Sequence, residues 1–338
     1  MAGLVTAARL RELGREAIVV EKGSRVGGSM LLSSGVVWRH GSLDDFREDC
    51  PGGDAALQAL VVERLDDALD WLESLGAPVV ARETGNPLTV GRRFDPRGLT
   101  ECLLRAVDEV QLGTSLGEPE GEVVLATGGW GVRLAAERGL ALRAAPWSDG
   151  GGIAFACRRG AALSSGRDEF YGRLMPAPPA RWGEDDFVRG AQLYGRWARA
   201  VDDDGRRLFE GEPAWHETDL AQALARVSAA WLVVDDADLD RPVRERTVSD
   251  LIAVADELGG EVRREDGATA VRVCTAVTHT IGGLCVDARA RVLGEDGRLL
   301  EGLHACGADA GGIFTGGYGS GLAAALVLGL AAADDIAG

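Results

Sequence analysis

Glycine-rich turns stand near both ends of this chain, each between a strand-like apolar run and a helical pattern. Near the start, Gly3 opens the helical pattern and Glu21 follows the apolar run 17–20. Near the finish, the segment 302–309 leads to Gly316-Gly317-Tyr318-Gly319-Ser320-Gly321 and an apolar helical stretch. Backbone N–H groups at helix N-termini attract phosphate, and only glycine lets the main chain approach that closely. Such turns at both ends suit a long, bent ligand that contains a pyrophosphate. The ligand inferred from this pairing is a flavin dinucleotide.

The length of 338 residues allows two domains, or one domain with an insertion. A net charge of -17 argues against nucleic acid and anionic membrane surfaces as partners, since both need a basic footprint. The six cysteines are scattered without metal-ligand spacing, so no metal site is expected. They are expected as buried, reduced thiols, which fits a reducing cytoplasm. No signal-like segment appears. The longest apolar run, 322–333, reads as a buried helix and is too short to span a membrane.

A dinucleotide fingerprint needs a strand, then G-x-G-x-x-G, then a helix. Met1-Ala2-Gly3 matches only the last positions of that pattern. Glu21 nevertheless lies close to the spacing of the ribose-binding acid, about 20 residues on. Either Met1 is an internal methionine of a longer frame or the gene is truncated. The first is preferred, because a sheet without its central strand would expose an apolar groove.

Periodicity predicts helices over 54–76, 96–110, 153–160 and 247–258, with Thr247 as a cap. Strands are predicted over 122–126, 283–286, 290–293 and 303–306, and 202–205 reads as a hairpin turn. From about 164 to 272 charges and tryptophans rise. The expected architecture is α/β. A nucleotide-binding domain built from both ends, 1–163 and 273–338, is interrupted by a middle segment at 164–272.

The ordered set Glu21-Lys22, Gly27-Gly28-Ser29, Ser33-Ser34-Gly35, 126–129, 149–152, 278–283, 302–309 and 316–324 resembles the FAD-dependent fumarate reductase and 3-ketosteroid dehydrogenase superfamily (FAD-binding type 2). Relative to that family the chain is truncated at its N-terminus, and 112–119 is shorter than expected. The resemblance implies a Rossmann-like, glutathione-reductase-type FAD-binding domain (1–163 and 273–338) with an inserted α+β cap (164–272), FAD as cofactor and a substrate held between flavin and cap. Gly3 would then lie beside the pyrophosphate, and Glu21 and Lys22 beside the adenosine ribose. Gly27, Gly28, Ser29, Ser34 and Gly35 would follow the flavin side. Thr127, Gly128 and Gly129 would pack near the dinucleotide, and Asp309 or Ala308 would meet the ribityl chain, of which only the aspartate can accept from its hydroxyls. Ser320, Gly321 and Leu322 would aim a helix N-terminus at the flavin pyrimidine ring, favouring the anionic reduced form.

A partner proton must also move, and the chain has only three tyrosines and four histidines. The acid–base candidates are Tyr318, Tyr171, His279 and His216; Tyr194 reads as cap packing. An arginine is missing beside Tyr318, and none occurs from 210 to 225. Without a bidentate guanidinium clamp, fumarate reduction is disfavoured. Trp38, Phe170, Trp182, Trp197 and Trp215 instead suggest a pocket for an apolar or alicyclic, steroid-like substrate. The reading is a flavin oxidoreductase acting on CH–CH or C=C bonds, with electrons passing to an unidentified acceptor. The alternatives are a truncated, inactive flavoprotein-like binding module and, more weakly, a nicotinamide-dependent dehydrogenase.

Overall fold

The computed structural model describes residues 1–338 except 116, 118, 120 and 266. Leu116 and Glu118, in the shortened segment 112–119, therefore lie outside the described residues. The chain forms two compact units. The first comprises 1–131, 145–169 and 279–338; the second comprises 132–144 and 170–278. The cap boundaries expected at 164 and 272 fall a few residues before these divisions, and 132–144 joins the second unit.

In the first unit, the two ends of the chain pack together as helices. Helix Ala2–Glu12 lies against the terminal helix Gly321–Ala337. Their approach is close because both faces carry small residues. A Cβ added to Gly329 would sit 3.0 Å from the Ala2 carbonyl. The Thr6 hydroxyl lies 3.1 Å from Ala2 O and 3.0 Å from Gly329 O. The terminal helix is apolar on nearly every face and is buried on nearly every face. Helix Ala55–Ser74 packs beside it through Leu57, Val61, Leu65, Leu69 and Leu72. Each such leucine contributes roughly 1.5–3 kcal/mol by leaving water. Asp54 caps this helix by accepting from Ala56 N and Leu57 N at 2.9 and 3.0 Å.

Strand Ile18–Glu21 pairs in parallel with Glu109–Leu112. Strand Val123–Leu125 pairs in parallel with Leu299–Ala305, which pairs antiparallel with Arg291–Leu293. A third sheet joins Val36–His40, Thr89–Phe94 and Val79–Ala81. The helix predicted to reach 110 ends at Arg105, because 109–112 is taken as a strand partner for Ile18–Glu21. Residues 283–286 make only isolated bridges, through Leu284 and Val286. All six cysteines are free, but Cys157 is exposed and Cys274 and Cys285 are half-buried. Cys157 ends the helix Gly151–Cys157, so it turns away from the buried face expected of it.

The second unit is built on the long strand Ala268–Thr280. Ala230–Asp235, Val262–Glu265, Phe170–Pro176 and Ala141–Leu142 all pair with it, and Ala198–Val201 extends the sheet. Helices Thr218–Leu224 and Val248–Glu257 help close its core, which includes Leu174, Tyr194, Leu220, Leu232, Leu251 and Val271. Thr247 caps the second helix reciprocally with Asp250: Thr247 Oγ1 accepts from Asp250 N at 3.2 Å, and Asp250 Oδ2 accepts from Thr247 N at 2.8 Å. Residues 202–205 form a turn in which Asp202 Oδ1 accepts from Asp204 N and Arg206 N. The mixed α/β class expected from the sequence is the class observed. No described helix is long and apolar enough to cross a membrane.

Candidate functional site

In the first unit, Asp309 draws the remote turn 127–129 to the strand end at 305. Its carboxylate is fully buried and accepts from Thr127 N, Thr127 Oγ1, Gly128 N and Gly129 N. Burial pushes the carboxyl above its ordinary range, and these donors oppose that shift. Gly128 and Gly129 have φ of +92° and +73°, and a Cβ on Gly129 would lie 2.6 Å from Thr280 Oγ1. The buried Thr280 hydroxyl has no partner among the described residues.

Glu21 is half-buried at its strand end, where Oε1 accepts from Gly23 N at 2.7 Å. Lys22 is exposed and pairs with Asp149. Gly27 and Gly28 both have positive φ at the start of a short helix, and Ser29 Oγ accepts from Ala145 N at 3.2 Å. Ser33, rather than Ser34, braces this loop: its hydroxyl donates to Met30 O and accepts from Gly35 N. Ser34 itself is half-buried. Gly3 brings the first helix against Ala126, where an added Cβ would meet another at 3.3 Å.

Ser320 caps the terminal helix, accepting from Ala323 N at 3.2 Å and from Trp38 N at 3.4 Å. Gly321 follows, and a Cβ there would sit 2.9 Å from His279 Nε2, so a side chain at 321 would displace the imidazole. Leu322 is half-buried in the first turn. His279 Nδ1 is 3.1 Å from Thr280 O, which makes Nδ1 the protonated nitrogen and leaves Nε2 an acceptor beside Gly321. Burial pulls the imidazole below its ordinary range, so it is neutral near pH 7.

Tyr318 is half-buried with its ring centroid 5.9 Å from Trp38, 6.1 Å from His279 and 6.2 Å from Phe314. Its flanking glycines fix this placement. A Cβ on Gly319 would strike the Phe314 ring at 2.5 Å, and one on Gly317 would overlap the Asp49 carbonyl.

In the second unit a charged group surrounds Tyr171. Arg173 is buried, and its guanidinium carbon stands 4.8 Å from the Tyr171 ring centroid. Arg173 Nη1 donates to the carbonyl of His216. The segment 210–225 contains no arginine, yet the fold delivers one to it from a neighbouring strand, which sequence spacing does not reveal. His216 is buried, and its Nδ1 accepts from Thr218 N at 3.2 Å. Glu217 adopts φ of +53°, and its Oε1 accepts from Gly195 N at 2.9 Å. Burial pushes its carboxyl up to about 7, with Arg173 opposing. Tyr194 is wholly buried in the core as expected of packing, with a hydroxyl that has no hydrogen-bond partner among the described residues.

The tryptophans of this unit are not gathered into one wall. Trp182 packs with Met175, Ala191 and Ala276, whereas Trp197 packs with the core around Leu174 and Tyr194. Trp215 stacks edge-on against His216 at 5.3 Å. Phe170 is buried, with its carbonyl accepting from Gln222 Nε2.

The sequence pattern of one family matches residues 1–107 and 118–322. The chain belongs to the FAD binding domain family. A flavocytochrome c3 fumarate reductase has a similar structure, with a TM-score of 0.70 and 20% identity over 99% of this chain and 76% of that one. The 3-ketosteroid-Δ4-(5α)-dehydrogenase of Rhodococcus jostii RHA1 gives 0.70 and 17% identity, over 100% and 95% of the two chains. At such identities the likeness is one of fold. A curated relative, the NADH:acrylate oxidoreductase of Vibrio harveyi, is 51% identical over 41 residues, 12% of this chain. The match spans only 4% of that protein's length.

The cofactor of this family is FAD, and the residues of the first unit fit it. The partnerless Thr280 hydroxyl beside Gly129, the half-buried Glu21 carboxylate and the long helix opened by Ser320-Gly321 are the kinds of group such a cofactor needs. Asp309 differs from its expected use, because its oxygens are occupied by residues 127–129. Sequence reasoning missed Trp147, whose ring crowds Gly23, and the Arg173–Glu217 group. The glycine at 23, directly after Glu21-Lys22, was the available signal for the first.

Proposed function

We propose that the chain is an FAD-dependent oxidoreductase acting on the CH–CH or C=C bond of an apolar, alicyclic compound of steroid-like bulk, with FAD supplying the hydride acceptor or donor. The observation that carries this reading is the Tyr318 ring held among Trp38, Phe314 and His279. That wall offers a phenol and a neutral imidazole in apolar surroundings, suited to a bulky hydrocarbon skeleton with one polar handle.

In dehydrogenation one substrate carbon gives up hydride and its neighbour a proton; in reduction both return. Tyr318 and Tyr171 are the preferred groups for that proton. His279, with an acceptor at Nε2, is a further candidate to take that proton. His216, whose Nδ1 already accepts from Thr218 N, is the weaker candidate. For the cofactor, Glu21 and Lys22 serve the adenosine end, and Gly3, Thr127, Gly128 and Gly129 the pyrophosphate. Gly27, Gly28, Ser29, Ser34 and Gly35 serve the flavin side with Ser320, Gly321 and Leu322. Asp309 acts by holding 127–129. Electrons pass to or from a separate acceptor.

The test is anaerobic mixing of the flavin-loaded protein with cyclic ketones of steroid size and, separately, with small dicarboxylates. Bleaching of the visible flavin bands by the former alone is the expected result. Tyr318→Phe should keep its flavin bands and slow the bleaching. Bleaching by dicarboxylates only would overturn the substrate class, and undiminished rates in Tyr318→Phe would remove that residue from the chemistry.

A further inference from the structure

We propose that Arg173 is a positioning residue for Tyr171, holding the phenol in place and facing its ring with a buried, anchored positive charge. This inference rests on the reading of Tyr171 as a proton-transfer group. Tyr171 and Arg173 lie two residues apart on the strand Phe170–Pro176, so their side chains leave the same face. A guanidinium over a tyrosine ring is favoured by the ring quadrupole, and 4.8 Å to the centroid is within reach of that attraction.

Arg173 is itself anchored, not a mobile surface charge. It is 7% exposed, and its Nη1 is held by the His216 carbonyl. That carbonyl is placed by the turn that leads into helix Thr218–Leu224, which packs on the same strand. The turn carries φ of +53° at Glu217, a conformation that costs about 1 kcal/mol or more for a residue with a Cβ. A strained turn that presents a carbonyl to a buried arginine is a means of aiming the arginine.

The charges facing Tyr171 are Arg173 on its own strand, Arg143 after strand Ala141–Leu142, and Arg244. Around Arg173 stand Glu217, with Asp219 beside it, and the carbonyl of the buried His216. Arg143 is fixed by donating to Phe187 O at 2.6 Å and to Thr278 Oγ1 at 3.0 Å. Glu217, pushed up to about 7, is ionised where the phenol titrates, so its charge opposes that of the Arg173 guanidinium there, and Arg143 and Arg244 add to the positive field. Burial raises the Tyr171 phenol, but the charges of Arg173, Arg143 and Arg244 and a hydrogen bond from Arg173 outweigh burial and bring it below the ordinary tyrosine range.

With three tyrosines in the chain, carbon NMR of flavin-loaded protein labelled at the tyrosine ζ carbon resolves the question directly. Tyr171→Phe assigns the resonance. In the wild type it should titrate below the ordinary value of about 10. Arg173→Gln should move it up by about one pH unit, and Arg173→Lys should return most of that shift. Arg244→Gln, which alters an exposed residue, should move it less. A Tyr171 resonance at or above the ordinary value overturns the proposal, and that measurement stands even where Arg173→Gln does not fold. An unchanged titration in folded Arg173→Gln overturns it equally. Turnover separates the underlying reading: Tyr171→Phe with full activity but the expected titrations removes the proton-transfer role and leaves the tuning. A slow Tyr171→Phe with no effect of Arg173→Gln on the resonance does the reverse.

Discussion

Asp309 and Thr127, 182 positions apart, are joined twice: the Thr127 main-chain N–H donates to one carboxylate oxygen, and its hydroxyl donates to the other at 2.9 Å. Gly128 N and Gly129 N add donors at 3.0 and 3.4 Å. One buried carboxylate thus closes the glycine turn after strand Val123–Leu125 onto the turn Gly307–Asp309. The turn 127–129 has no regular ladder of its own at this point, so its shape depends on that single side chain.

Asp309→Ala should therefore strip several buried donors of their acceptor at once. The expected loss is about 2–4 kcal/mol of stability, since unsatisfied buried groups each carry a desolvation penalty. Flavin content, read as the ratio of visible to protein absorbance, should fall with it. A denaturation midpoint equal to wild type, with full flavin content, would show that the turn is held by something else.

Gly321→Ala tests the contact between the terminal helix and His279. Alanine improves helix propensity by about 1 kcal/mol, yet its Cβ would stand 2.9 Å from His279 Nε2. The imidazole edge can swing aside, so the protein should remain folded while His279 loses its present orientation. The His279 ring resonances should move and substrate turnover should drop, with kcat affected more than flavin content. If both are unchanged, His279 has no role that depends on its contact with position 321.

The parts of the fold that were legible in the sequence are those whose signal is local. Thr247, read as a cap directly before an apolar periodic run, caps its helix, and the helices read from 54 and from 322 begin one residue after Asp54 and Ser320, which cap them. Helix 96–110 was overread because residues 109–112 fit either period, and only their pairing with Ile18–Glu21 decides. The candidate site divides the same way. Tyr318 between glycines and His279 before Thr280 are local signals, and the two rings meet. Arg173 reaches His216 across the unit, and Asp309 reaches Thr127 across most of the chain, so neither contact has a spacing that can be read in advance. The tryptophans, counted as one pocket from their abundance, pack in separate places because each fills the nearest gap in its own layer.

Ser320→Ala should cost roughly 1–2 kcal/mol, within the range of helix caps. The hydroxyl serves two elements, since it accepts from Ala323 N and from Trp38 N, so the loss should lie at the upper end for a cap. Ser320→Thr keeps a hydroxyl acceptor at this buried position and should recover most of the stability. Thermal unfolding of the three proteins at equal flavin content checks the order. Equal midpoints would mean that the cap is satisfied by water without penalty.

Glu217 gives the pH dependence. Its carboxyl is raised from 4.5 to about 7 by burial, so between those values the folded protein holds a proton that the unfolded chain has released. Where the native state binds more protons, stability declines as pH rises, and the decline levels off above the folded value. Glu217→Gln keeps an acceptor for Gly195 N and removes the titration. The variant should match wild type at about pH 4 and exceed it at about pH 8 by roughly 1–3 kcal/mol. Chemical denaturation across this range is the measurement. A wild-type curve whose difference from Glu217→Gln does not grow with pH would mean that Glu217 is ionised in the folded protein throughout, with Arg173 as its full counter-charge. In that case the Arg173–Glu217 ion pair persists through the acid range as well as above neutral pH.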